Sequence, residues 1–158
     1  MADKTKKAAK PASGRGKPSS DIWTDEERAA MQEHAKEMKA ARGKKGKPDG
    51  NADVRAKIAE MPPEDRALPE RFDEIVTSNA PNLTRRTYYG MPAYANEDGK
   101  VVCFFTPGAK FKERYATFAF NPEAHLDEGT VWPTAWAVTK LTKADEAMIA
   151  RLVKKAVS

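Results

Sequence analysis

Residues 88–105 read YYGMPAYANEDGKVVCFF, and this stretch decides the fold. Extended segments are predicted at 93–95 and 101–106, with Glu97-Asp98-Gly99 between them. An Asp-Gly pair between extended segments is a strong hairpin signal, because glycine supplies the positive φ that a tight turn requires. The stretch therefore predicts an antiparallel β-hairpin.

Segments with the same period-2 pattern precede and follow the hairpin in the sequence. Segments with the periodicity of amphipathic helices precede the first strand and follow the last one. Further strands are predicted at 84–89, 115–121 and 135–138. Two helices are predicted before the strands, near 53–61 and 65–79. A last helix is predicted after the strands, where Thr142-x-x-Asp145 forms its N-terminal cap. Pro69 is compatible with the second helix only in its first turn, where an N–H has no intrahelical partner. Helices, a meander and a last helix predict an α+β fold, an antiparallel sheet with helices packed on one face.

The first third of the chain differs from the rest in charge. Residues 1–50 contain 13 Lys/Arg and 8 Asp/Glu, whereas residues 51–158 contain 15 of each. Residues 1–20 have no apolar periodicity and are predicted to be a disordered basic tail. Residues 21–50 are predicted to be a charged helix, N-capped by Thr24 with Glu27, followed by a basic linker. The folded domain is predicted over 51–158.

Three segments carry a resemblance to a known family. The Tyr-x-Gly-Met-Pro-x-Tyr core at 88–94, the Gly-Lys-Val-Val-x-Phe-Phe strand at 99–105 and the segment 141–146 together resemble the YdhG-like family of bacterial domains of unknown function. The resemblance covers residues 53–158 and implies the same α+β architecture. Some members are described as frataxin-like iron chaperones, in which surface acids hold iron. The resemblance therefore implies that iron is a ligand and that an iron-accepting protein is a partner.

Acidic residues on the matching helical region are the first candidate site. Oxygen ligands suit ferric iron and hard cations, so Glu70, Asp73 and Glu74 are predicted metal ligands. Arg66 and Arg71 interrupt these acids and are expected to pair with Glu70 and Glu74. The alternative interpretation is a solvated, charged helix face.

A second acidic segment is predicted to be a loop between strands. Glu123, His125 and Asp127 place an imidazole among carboxylates, a mixture that can bind a divalent cation. Their spacing matches no recognised ligand pattern, and acidic loops are common.

Aromatic residues gather in the strand region and form the third candidate site. Apolar pockets for small ligands are lined by such side chains, with hydroxyl groups that orient the ligand. The predicted ligand-binding residues are Tyr88, Tyr89, Met91, Tyr94, Trp132 and Trp136. The alternative is that these residues fill the core and cover the sheet edge.

The basic tail is the fourth candidate. Clustered cations attract phosphate without sequence specificity, so weak nucleic-acid contact is predicted there. The residues concerned are Lys4, Lys6, Lys7, Lys10, Arg15 and Lys17. No aromatic residue interleaves them, which disfavours base stacking.

Catalytic signatures are absent from the sequence. It has no phosphate-cradling glycine loop, no Gly-x-Ser-x-Gly elbow and no His-Glu-x-x-His motif, and only two histidines. The single cysteine, Cys103, is predicted to be a buried small hydrophobe. No apolar run is long enough to span a membrane, and no signal peptide is evident, so a cytoplasmic location is expected.

The sequence thus favours a non-catalytic binding protein, with iron binding or chaperoning as the specific hypothesis. Two alternatives stay open: a small-molecule or peptide binding module that uses the 88–94 turn, and nucleic-acid association through the basic arm.

Overall fold

The computed structural model describes residues 23–43 and 50–158, and the side chains of 23–40 and 50–158. The predicted tail at 1–20, with its nucleic-acid residues, and the linker at 44–49 lie outside the described residues. The helices are α1 (Asp25–Gly43), α2 (Asn51–Ala59), α3 (Ala67–Asn79) and α4 (Lys143–Ala156). The strands are β1 (Thr84–Tyr88), β2 (Met91–Ala95), β3 (Val101–Thr106), β4 (Ala116–Phe120) and β5 (Ala135–Val138). Short 3-10 turns span Pro63–Asp65 and Ala109–Phe111.

The sheet is an antiparallel meander in the order β1-β2-β3-β4-β5, which confirms the predicted architecture. The predicted hairpin at Gly99 is present, and Gly99 has φ 77°. The β1–β2 turn is tighter than expected. Tyr89 and Gly90 have φ 52° and 73°, which is the backbone of a two-residue type I′ turn. Pairing therefore resumes at once, with Tyr88 opposite Met91.

The core lies between one face of the sheet and the helices α3 and α4. Phe72 and Val76 of α3 and Ile149 and Val153 of α4 are almost completely buried. They pack with alternate residues of the strands, Tyr94, Cys103, Phe105, Phe118 and Phe120. Burial raises the pKa of the Cys103 thiol to about 12, so Cys103 is the inert apolar residue that the sequence predicts.

Helices α1 and α4 begin at their predicted capping signals, whereas α3 begins at Ala67 rather than near residue 65, because residues 63–65 form a 3-10 turn. Pro69 is the third residue of α3 and so lies in the first turn, as it must. At α4, Thr142 Oγ1 accepts the Asp145 N–H at 3.2 Å, while Asp145 Oδ2 accepts the Thr142 N–H at 2.9 Å. Thr24 and Glu27 form the same reciprocal pair at α1, at 3.1 and 2.8 Å. Both predicted capping boxes are confirmed.

Each helix in the described part of the chain is too short or too polar to cross a bilayer.

Candidate functional site

Helix α1 lies against the β1–β2 turn. Among its described side chains only Ala30 is buried, so apolar packing contributes little to this contact. The thin apolar stripe gives no sequence signal for docking. The contact depends instead on carboxylates.

Glu37 of α1 binds the backbone of the turn with both carboxylate oxygens. Its Oε2 accepts the Tyr89 N–H at 3.1 Å, and its Oε1 accepts the Gly90 N–H at 3.0 Å. Two successive left-handed residues turn their N–H groups towards the same side, which is the geometry of backbone anion sites. The turn is thus a receptor for one carboxylate, and Glu37 fills it.

His34 of α1 covers the tyrosines of the turn. Its imidazole stacks on the Tyr89 ring, with centroids 3.9 Å apart and planes 10° apart. The edge of Tyr88 completes the cluster, with centroids 5.9 Å from His34. The buried Nδ1 of His34 has no hydrogen-bond partner and lies 3.5 Å from Glu37 Oε2. Stacked rings therefore fix the orientation of α1 beside the carboxylate contact.

Glu33 occupies the space where a side chain at position 90 would be. A Cβ on Gly90 would lie 1.5 Å from Glu33 Oε2, and the φ of 73° also favours glycine. The carboxylate of Glu33 lies 3.4 Å from Lys57 Nζ and 3.5 Å from Lys110 Nζ. Although desolvation opposes the charge on Lys57, Glu33 and Glu60 raise its pKa. Gly90 is therefore favoured by the backbone of the turn, and a side chain at this position would also displace the Glu33 carboxylate.

Glu26 makes the third carboxylate contact, with Lys112 Nζ at 2.8 Å. The hydrogen bond from Lys112 lowers the pKa of Glu26, and Glu26 in turn raises the pKa of Lys112. We call the partners of α1 the α1-docking surface. Its residues are Lys57, Tyr89, Gly90, Lys110 and Lys112.

Asp73, a predicted metal ligand, lies in a polar network inside the fold. Its two oxygens each accept a hydrogen bond from Arg85 at 2.8 Å, and Oδ1 also accepts the Tyr94 hydroxyl at 2.7 Å. Burial disfavours the carboxylate, but these hydrogen bonds outweigh it and lower the pKa of Asp73. The carboxylate therefore joins α3 to β1 and β2, and its oxygens are engaged within the fold.

The other acids of α3 are at the surface. Arg71 pairs with Glu74, as expected, and also binds Glu146 of α4 through Nε at 2.6 Å and Nη2 at 2.8 Å. Glu70 is exposed. Arg66 instead donates to the backbone oxygens of Met61 and Ala59, both at 2.8 Å, because it caps the end of α2.

The acidic loop is tied to the end of α4. His125 Nδ1 lies 2.9 Å from the Ser158 backbone oxygen, and Glu123 and Asp127 lie on either side of it in the loop. Within residues 23–43 and 50–158, no three His, Cys, Asp or Glu side chains are placed to hold a metal ion together. Iron binding stays a prediction, which anaerobic titration of the chain with Fe²⁺ would test.

The six predicted ligand-binding residues are divided among three places and do not form one pocket. Tyr88 and Tyr89 lie at the β1 edge under α1, where Met91 is buried beside them. Tyr94 is fully buried in the core. Trp136 stacks on Phe118 at 5.0 Å on β5, the opposite edge of the sheet, and Trp132 also packs against the core. Sequence proximity grouped these residues, whereas strand order and side-chain alternation separate them.

Two clefts lie near the 3-10 turn at Ala109–Phe111. The larger, about 750 Å³, is bounded by the start of α3, the β3–β4 loop and the start of α4, with Leu68, Phe105 and Leu141 in its wall. The smaller, about 300 Å³, lies beside α1 and is lined by Glu33, Lys57 and Lys110. The α1-docking surface thus continues into the smaller cleft.

No protein-family model, curated protein or solved structure was found to match the chain. The resemblance to the YdhG-like family therefore stays a prediction.

Proposed function

We propose that this chain is a non-catalytic binding protein whose β1–β2 turn receives a carboxylate from a peptide segment. Helix α1 is the resident ligand of that site. The observation that carries the proposal is the two-oxygen contact of Glu37 with the Tyr89 and Gly90 N–H groups. Hydrogen bonds to a charged acceptor are about twice as strong as neutral ones, so this contact dominates recognition.

The backbone of Tyr89 supports a binding role. Asn, Asp and Gly are the usual residues at positive φ in such a turn, yet a tyrosine is held there at φ 52°. A bulky residue in this conformation is strained by about 1 kcal/mol. The strain is consistent with selection for the ring, which stacks on His34, rather than for the turn itself.

The manner in which α1 is held also supports it. A structural helix normally buries an apolar stripe, whereas residues 25–40 of α1 bury one alanine and present Met31 and Met38 to solvent. Such a helix is held by reversible polar contacts, and its connection to α2 keeps it at a high local concentration.

The test is binding of the α1 sequence in trans. A fluorescein-labelled peptide of residues 23–43 is titrated by anisotropy with the full chain and with its Glu37→Gln variant. We expect the variant chain to bind the peptide at least tenfold more tightly, because its own helix competes less. A peptide carrying Glu37→Gln should bind about tenfold more weakly, and Asp25→Asn, at a 93 % exposed side chain, is the matched control.

Equal affinity of the two chains for the peptide, or equal affinity of the two peptides, would overturn the proposal.

A further inference from the structure

We infer that the partner of the α1-docking surface is an acidic helix that the surface contacts at three glutamates. These lie at relative positions 0, +7 and +11, with a small residue at +4. This pattern is the contact face of α1, where Glu26, Glu33 and Glu37 supply the acids and Ala30 the small residue. The inference rests on the proposed function, because it takes α1 as the model of the bound partner.

The four positions form one face of a helix. At 100° per residue, positions 0, +4, +7 and +11 lie within an arc of about 60°, and they span about 17 Å along the axis. A segment with these acids in extended conformation would present them on different sides. The surface is therefore selective for a helix and for its register.

The receptor groups come from three separate elements, which makes the spacing specific. Lys112 follows the 3-10 turn and meets position 0, while Lys57 of α2 and Lys110 meet position +7 from two sides. The β1–β2 turn meets position +11. Because α2, the 3-10 turn and the β1–β2 turn belong to one folded domain, the fold sets the spacing of the three contact points.

The contact allows only a small side chain between the first two acids. Ala30 is 5 % exposed in the docked helix, whereas its neighbour Ala29 faces solvent. A longer side chain at position 30 would have to displace packed atoms, at a cost that the polar contacts do not offset. Position +8 is occupied by His34, so a flat ring there adds stacking on Tyr89.

The charge of the docking surface determines the charge that its partner must carry. Without α1, Lys110 and Lys112 have no carboxylate partner among the described residues, and Lys57 keeps only Glu60, at 3.4 Å. The turn keeps two N–H groups pointing outward. A helix with basic or neutral residues at the three positions would leave these groups unpaired, so the surface rejects it.

The test uses the full chain with Glu26→Gln, Glu33→Gln and Glu37→Gln together, so that its own helix competes weakly. Labelled peptides of residues 23–43 are titrated against it. We expect Glu26→Gln and Glu33→Gln in the peptide each to weaken binding about threefold to fivefold, as partly exposed ion pairs do. A peptide of identical composition, with the three glutamates moved two positions along, should lose more than tenfold, because the acids then face away.

Two matched comparisons test the register directly. Ala30→Leu in the peptide should weaken binding, whereas Ala29→Leu should not. On a receptor that also carries Lys112→Gln, the Glu26→Gln peptide should bind as well as the unchanged peptide, while Glu33→Gln keeps its effect.

Equal binding of the moved-acid peptide would overturn the inference, because charge alone would then explain the contact. Sensitivity to Glu37→Gln without sensitivity to Glu26→Gln or Glu33→Gln would overturn it and leave the proposed function standing. If no peptide binds, including the unchanged 23–43 sequence, both the inference and the proposed function are overturned.

Discussion

Two carboxylates join helices to the sheet in similar ways, but with different surroundings. Asp73 of α3 and Glu37 of α1 each accept hydrogen bonds with both oxygens, and their side chains are 16 % and 13 % exposed. Phe72, next to Asp73, is 1 % exposed within the main core, whereas Ala30 is the one buried side chain among residues 25–40 of α1. We therefore expect the same polar contact to contribute to global stability in one region and to reversible docking in the other.

The largest effect is expected from Asp73→Ala. Removal of the carboxylate takes away the acceptor of two Arg85 hydrogen bonds and of the Tyr94 hydroxyl in a partly buried place, so the free energy of unfolding should fall by about 3 kcal/mol. Urea denaturation followed by far-UV circular dichroism measures it. Glu70→Ala, one turn away on the exposed side of α3, is the control and should change stability by less than about 0.5 kcal/mol.

Acid should remove the contribution of the Asp73 carboxylate to stability. The pKa of Asp73 is lower in the folded chain than in the unfolded one, so its contribution is complete above the unfolded value of about 3.9 and is lost as pH falls through the folded value. The urea midpoint of the wild type should drop below about pH 4, and Asp73→Asn should flatten that drop. Parallel curves for the two proteins would contradict this assignment.

The two capping boxes provide an internal comparison. Thr142→Ala should lower the free energy of global unfolding by about 1 kcal/mol, because α4 is part of the core. Thr24→Ala removes the same contact from α1 but should leave global unfolding unchanged, since we expect α1 to detach before the domain unfolds. Hydrogen exchange should show faster exchange of α1 amides in the Thr24→Ala variant alone. A global loss in that variant would show that α1 unfolds with the core.

The smallest effect is expected from Tyr89→Asn. This substitution should raise the stability of the domain but weaken its binding of the α1 peptide. Asparagine tolerates positive φ, so the hairpin should gain about 0.5 kcal/mol in urea denaturation. Loss of the ring removes the stack on His34. In a chain that also carries Glu26→Gln, Glu33→Gln and Glu37→Gln, whose own helix competes weakly, it should weaken binding of the 23–43 peptide. Tyr88→Asn, at a position of ordinary backbone conformation, should lower stability and thus separates the two effects.

Local signals in the sequence were sufficient for most of the fold. The Asp-Gly turn, the alternating pattern of β4 and the Thr142 box each concern residues a few positions apart, and each was confirmed. Phe118 and Phe120 point into the core because the strand period fixes their side. Such features depend on backbone geometry that neighbours in the chain determine.

The α1-docking surface could not be predicted in the same way. Glu37 binds backbone N–H groups of Tyr89 and Gly90, 52 and 53 positions away, and backbone donors leave no trace in residue type. One signal was present: Ala30, Glu33, His34 and Glu37 share a helix face. Asp73 looked like a surface acid for a related reason, because its partner Arg85 is contributed by a strand whose register the sequence does not specify.

The order of the sheet has a consequence for synthesis. Because each strand pairs with its neighbour in the sequence, most contacts can form as the chain emerges from the ribosome, which favours rapid folding. Helix α1 is the exception: it ends at Gly43, and Lys112, the ion-pair partner of Glu26, follows 69 residues later. At about 5–20 residues per second, each new chain exposes α1 for about 3–14 s before its own surface exists. A protein that binds acidic helices can meet α1 in that interval without competing with the finished domain.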